Sequence, residues 1–103
     1  MPQWVRLCQL QDAPPPGQVA EAEAAGVTVC LANIDGELRA MDNLCPHRGA
    51  PLGQGSIEGD AVMCPWHAWL FDTTTGVAAA PERGRVAVFS LEVVGDAVMI
   101  DLE

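Results

Sequence analysis

Apolar and polar residues alternate along much of this chain with the period of two that marks a strand with one buried face. Trp4 to Cys8 alternates in this way, and so does Val19 to Glu23, with Gly26 marking a turn beyond it. Val27 to Ile34 is a run rich in β-branched residues that ends in Asp35-Gly36, a strong hairpin signal, and Glu37 to Asp42 reads as the returning strand. Leu10 to Gly17 contains Pro14-Pro15-Pro16, cannot continue a ladder and is expected as a surface loop. From Asn43 to Gly59 the alternation collapses into loop, punctuated by glycine and proline. Ala61 to Cys64 and Trp69 to Asp72 read as short strands flanking Pro65-Trp66-His67. Thr73 to Gly76 is a turn and Val77 to Arg85 a loop around Pro81. Val86 to Val94, Gly95-Asp96 and Ala97 to Leu102 form a closing hairpin. No helical period is long enough to build a helical core. The expected class is all-β, an antiparallel sandwich or barrel, with both Cys-Pro segments in loops at strand ends.

Length and composition narrow the reading. A chain of 103 residues, 50% hydrophobic and 18% charged, suits one globular domain over residues 1–103. No apolar run approaches the roughly 20 residues that span a bilayer. The stretch MPQWVRLCQL lacks a basic region followed by an apolar one, so no secretory signal and a cytoplasmic setting are expected. Fourteen Asp and Glu face five Arg and no Lys, for a net charge of −9. That balance excludes binding to nucleic acid or to anionic membrane surfaces, both of which need basic patches. It suits salt-sensitive docking to a basic partner, or solubility alone.

The four cysteines divide into two kinds. Cys8 and Cys30 sit in strand-like stretches and read as small core residues. Cys45-Pro46-His47 and Cys64-Pro65-Trp66-His67 each join a thiol to an imidazole, with 16 residues between His47 and Cys64. In a reducing compartment that combination signals metal binding or catalysis rather than disulfides. Structural zinc sites usually pair Cys with Cys and His with His, whereas here each loop offers one ligand of each type. Two such hooks suit a binuclear centre in which one metal takes both sulfurs and the other both nitrogens. A zinc-stabilised interaction module, a Cys45–Cys64 disulfide and a cysteine nucleophile with a histidine base remain as alternatives. The nucleophile reading is the weakest, because it leaves the second Cys/His pair without a role.

The segments Cys-Pro-His-Arg-Gly-Ala-Pro-Leu (Cys45 to Leu52) and Cys-Pro-Trp-His-Ala-Trp-Leu-Phe-Asp (Cys64 to Asp72) resemble the two ligand loops of Rieske iron–sulfur proteins. The resemblance implies an antiparallel β-sandwich with a small cluster-binding subdomain inserted between strands, its loops lying at about 43–82. It implies one [2Fe–2S] cluster per chain, with Cys45 and Cys64 on one iron and His47 and His67 on the other. Pro81 matches a proline that covers the cluster in this family. Arg48, Trp66 and Trp69 flank the ligands; core packing is expected of the two tryptophans, and loop geometry of Gly49, Gly53 and Gly55.

High-potential members of the family place hydroxyls where this chain has Trp69 and Phe71, and a disulfide where it has Ala50 and Trp66. The resemblance therefore implies a low-potential one-electron carrier, not an enzyme in itself. Such a carrier would take electrons from an NAD(P)H-dependent reductase and pass them to a terminal oxygenase. The small subunit of an NAD(P)H nitrite reductase is the alternative setting.

Overall fold

The computed structural model describes residues 2–46, 49–66, 68–79 and 83–103. Nine strands run in the order β1 (Trp4–Gln9), β2 (Val19–Ala24), β3 (Val27–Ile34), β4 (Glu37–Asp42), β5 (Ser56–Glu58), β6 (Ala61–Met63), β7 (Leu70–Asp72), β8 (Val88–Val94) and β9 (Ala97–Asp101). β3 and β4 have the bounds expected from the sequence. Two connections owe their tightness to paired left-handed residues, Ala25-Gly26 before β3 and Asp35-Gly36 before β4. Such turns match the right-handed twist of the strands they join.

All pairings between neighbouring strands are antiparallel. Six strands form one sheet in the order β1-β9-β8-β4-β3-β2, and β5-β6-β7 form a smaller sheet inserted between β4 and β8. β1 and β2 lie at opposite ends of the large sheet yet contact each other, so the sheet rolls up. A one-residue irregularity between Arg6 and Cys8 bends β1 into that curve.

β3 is the strand on which the packing turns. Val29 and Leu31 point into the rolled sheet, where they meet Leu7, Ala40, Val98 and Ile100. Cys30, Ala32 and Ile34 point the other way, into a second core shared with Val62, Phe71, Ala78 and Val86 of the inserted segment. Burial on both faces is why β3 reads as a continuous apolar run. Cys30 is fully enclosed, and burial pushes its thiol up to about 12, so it behaves as a small hydrophobe. The sequence expectation for Cys30 holds.

Two expectations need correction. The stretch from Asn43 to Gly59 is not wholly loop: it holds a 3-10 turn at Leu52–Gln54 and strand β5. Leu10–Asp12 likewise forms a 3-10 turn inside the proline-rich loop. Both are three residues long, too short for any apolar period to show.

Leu31→Ala should cost about 2–5 kcal/mol, because it opens a cavity inside the rolled sheet. Denaturant unfolding measures this. A loss under about 1 kcal/mol would mean that the sheet does not close around the residue.

Candidate metal centre

The two Cys-Pro segments are built alike. Leu44 bridges to Pro51 and Met63 pairs with Leu70, so each cysteine opens a six-residue connection between two extended segments. The Cys45 N–H donates to the Ala50 carbonyl at 2.9 Å, and the Gly49 N–H donates to the Cys45 carbonyl at 2.7 Å. The Cys64 N–H donates to the Trp69 carbonyl at 2.7 Å, and the Ala68 N–H donates to the Cys64 carbonyl at 3.1 Å. The fifth position of each loop is left-handed, φ 73° at Gly49 and 58° at Ala68. Glycine takes that conformation freely; alanine is strained there.

Closing each loop on its own backbone leaves the thiols free to point inward. Cys45 and Cys64 are buried, neither is in a disulfide, and both belong to the core that β3 shares with the inserted segment. The disulfide alternative is thereby removed. Around them stand Ala50, Leu52, Val62 and Phe71, and Trp69 packs on the same cluster with its ring 6.3 Å from that of Phe71. Trp66 does not pack as expected: it is 58% exposed. The histidines of both motifs, His47 and His67, and also Arg48 and Pro81, lie outside the described residues.

Two polar clamps fix this unit to the large sheet, and neither was foreseen from the sequence. Asn43 is 3% exposed and accepts the Gly53 N–H on its side-chain oxygen at 2.7 Å. Its amide nitrogen donates to Glu21 of β2 at 2.6 Å, and its carbonyl accepts the Leu52 N–H at 2.7 Å. Gln54 donates to the other Glu21 oxygen at 2.9 Å. On the far side, Arg39 of β4 reaches the turn after β7, donating to Thr73 at 3.4 Å and to Thr74, while pairing with Glu37 at 3.2 Å. The Asp72 carboxylate caps the same turn by accepting the Thr74 and Thr75 N–H groups, which hold it below its ordinary value of 3.8.

Gly55 brings the two loops into register. A Cβ there would collide with the Met63 carbonyl oxygen, one residue before Cys64, so only glycine lets the end of the first loop lie against β6. Gly84 closes from a third side: a Cβ there would stand 3.4 Å from Pro46 and 4.0 Å from Trp69. The loop after β7 thus leans on both hairpins.

Soft thiolate donors, a dry apolar wall and two loops of one construction fit a metal–sulfide centre held between them. This is the frame of an iron–sulfur protein whose ligands come from paired hairpins. The profile of the Rieske [2Fe-2S] domain family matches residues 3–90. The ferredoxin component of the naphthalene 1,2-dioxygenase system of Pseudomonas aeruginosa is 35% identical over 100 residues, covering 96% of this chain and 95% of that protein. A chain from the complex of reduced oxygenase and oxidised ferredoxin in carbazole 1,9a-dioxygenase superposes with a TM-score of 0.85 at 27% identity, over 97% of this chain and 94% of that one. A Mycobacterium tuberculosis protein assigned as an NADH-dependent nitrite reductase small subunit superposes at 0.88 over 100% and 97% of the two chains, but at 21% identity it speaks for the fold alone. The chain belongs to the Rieske [2Fe-2S] domain family. Its cofactor is a [2Fe–2S] cluster, and it is an electron-transfer protein rather than a catalyst in its own right. The zinc and cysteine-nucleophile alternatives fall with that assignment.

Asn43→Ala should cost about 1–3 kcal/mol, because it strips a buried N–H of its acceptor. Gln54→Ala, at an exposed position, should change stability by less than about 0.5 kcal/mol. Thermal unfolding of the two variants side by side checks the contrast.

Proposed function

We propose that this chain, as one Rieske domain over residues 1–103 with cluster loops at about 43–82, carries single electrons in the cytoplasm from an NAD(P)H-dependent reductase to a terminal oxygenase. The observation that carries the reading is the pair of like-built hairpins, each rooted on a buried cysteine that is in no disulfide and each followed in sequence by a histidine. Support for the oxygenase comes from the relative in a dioxygenase system, at 35% identity. The nitrite reductase alternative has only the shared fold behind it. No helix among the described residues is long and apolar enough to cross a membrane.

In this reading Cys45 and Cys64 supply thiolates to one iron, and His47 and His67 supply imidazole nitrogens to the other. When bound, a cluster of this mixed ligation takes up and releases one electron at a potential above that of all-thiolate clusters. The chain's own part is to hold and insulate. The Asn43–Glu21 clamp fixes the first loop, the Arg39–Thr73 clamp fixes the end of the second hairpin, and Phe71, Val62 and Leu52 exclude water from the sulfur side. A rigid frame keeps the reorganisation that accompanies a change of charge small.

Purified anaerobically, the protein should contain two irons and two acid-labile sulfides per chain, the count of a [2Fe–2S] cluster. His47→Ala and His67→Ala should each abolish that cluster while leaving the fold intact by circular dichroism. Stoichiometric zinc instead of iron would refute the assignment.

The midpoint potential should lie toward the lower end of the roughly −150 to +300 mV range of such centres. Hydrogen bonds to the sulfurs raise a potential, and the side chains at 69 and 71, Trp and Phe, bring no hydroxyl. A potentiometric titration reading well above zero at neutral pH would show that other donors reach the sulfurs.

A further inference from the structure

The large sheet is not zipped along its whole length. β4 and β8 pair at two positions, Ala40 with Phe89 and Met41 with Val88, although β4 reaches back to Glu37 and β8 runs on to Val94. Where that pairing ends, the two strands part and leave a seam. The turns decide which backbone groups face it. Val94 and Ala97 flank the two-residue turn Gly95-Asp96, so Val94, Glu92 and Ser90 exchange hydrogen bonds with β9. The N–H and C=O groups of Leu91 and Val93 therefore point away from β9, into the seam. Ile34 and Glu37 flank Asp35-Gly36 in the same way, so the groups of Leu38 face the seam from β4. The Asp42 N–H, four residues on from Leu38 and in the same phase, donates to the Ala87 carbonyl at 2.8 Å, as this assignment requires.

Cavities of about 410 and 550 Å³ open on the two sides of the seam, and Glu37, Leu38 and Leu91 line both. Leu10, Ala13, Pro14 and Val93 make the larger one an apolar trough. Open strand edges beside such a trough suit an extended peptide, since the edge supplies main-chain bonds and the trough takes alternate side chains. The surroundings select its charge. Asp12, Asp35, Glu37, Glu92 and Asp96 are exposed at this end of the sheet. Asp35 and Asp96 lie in the two turns, Asp12 ends the 3-10 turn that Leu10 opens, and the Asp96 carbonyl accepts the Leu10 N–H at 2.7 Å. Against these carboxylates stands Arg39, which pairs with Glu37 at 3.2 Å; Arg6 is on β1, separated from β8 by β9. A second copy of this chain would bring the same carboxylates to the seam and be repelled, whereas a segment bearing Lys or Arg is attracted.

We infer that the seam between β4 and β8 takes one extended, basic segment of another protein, added antiparallel to β8 at Leu91 and Val93 with alternate apolar side chains in the trough. Leu38 to Asp42 alone spans roughly 13 Å toward Cys45. A segment held here leaves the ligand loops uncovered, so the site serves to tether a partner and not to pass the electron.

The probe is an acetylated, amidated octapeptide of alternating Lys and Val, with a Glu/Val octapeptide as control, added to the ¹⁵N-labelled holoprotein in about 0.1 M salt. Residues directly opposite in an antiparallel pair share a face, so the valines that fill the trough are those whose N–H groups meet Leu91 and Val93. The Lys/Val peptide should shift the amide signals of Leu91 and Val93 and slow their exchange with solvent about ten-fold; the Glu/Val peptide should do neither. N-methylation of the valines should weaken binding about ten-fold, whereas N-methylation of the lysines, which keeps the same charge, should change it less than about three-fold. Val93→Lys, at an exposed position, should weaken it about ten-fold with the cluster spectrum unchanged. Equal weakening by the two methylations, or shifts at other amides and not at these, would mean that an acidic protein merely attracts a cation, and overturns the inference. So does failure of the Lys/Val peptide to bind at millimolar concentration. Slow exchange at Leu91 and Val93 in a sedimenting dimer without peptide would give the seam to a second copy and overturn it equally.

Discussion

Everything at the site depends on how two short loops satisfy their own backbones. In each, the cysteine N–H and C=O are both bonded inside the six-residue connection, Cys45 with Ala50 and Gly49, Cys64 with Trp69 and Ala68. A buried backbone group without a partner costs about as much as a lost hydrogen bond, so a loop that reached outside itself for partners could not sink its root into a core. Because these loops are self-contained, the cysteine side chains reach the apolar core. The constraint is strict enough to hold Ala68 in a left-handed conformation that glycine occupies at the corresponding position 49.

The large sheet converts that local solution into a rigid frame. β3 faces two cores at once, and whatever displaces it disturbs both the rolled sheet and the cluster unit. The clamps from Glu21 and Arg39 come from β2 and β4, the strands on either side of β3. The inserted segment is thus tied to neighbouring strands of one sheet from two directions. An electron carrier gains from this, since a site that shifts on reduction slows the transfer.

How much of this was legible in the chain depends on the range of the interactions. β3 and β4 were readable to the residue because eight apolar-rich positions and an Asp-Gly turn are local signals. The four proposed ligands, Cys45, His47, Cys64 and His67, could be named from the chain because their spacing and residue types are rare together, and of these the structure describes the two cysteines. β5 was not, since Ser-Ile-Glu has a single apolar residue and pairs only because β6 is there to receive it. Asn43 looked like the first residue of a loop; its burial and its bond to Glu21, 22 positions away, are tertiary facts. Trp66 read as core because tryptophan usually is, but it stands three residues past the end of β6, beyond Cys64 and Pro65, and is exposed.

The central claim is that two equivalent hairpins hold one cluster, each through one sulfur and one nitrogen. Because the chain has only two histidines, uniform labelling with ¹⁵N-histidine tests it without mutation. Pulsed electron–nuclear double resonance on the reduced protein should show two directly coordinated ¹⁵N couplings of similar size. One coupling, or none, would contradict the account and require a different ligand in at least one loop.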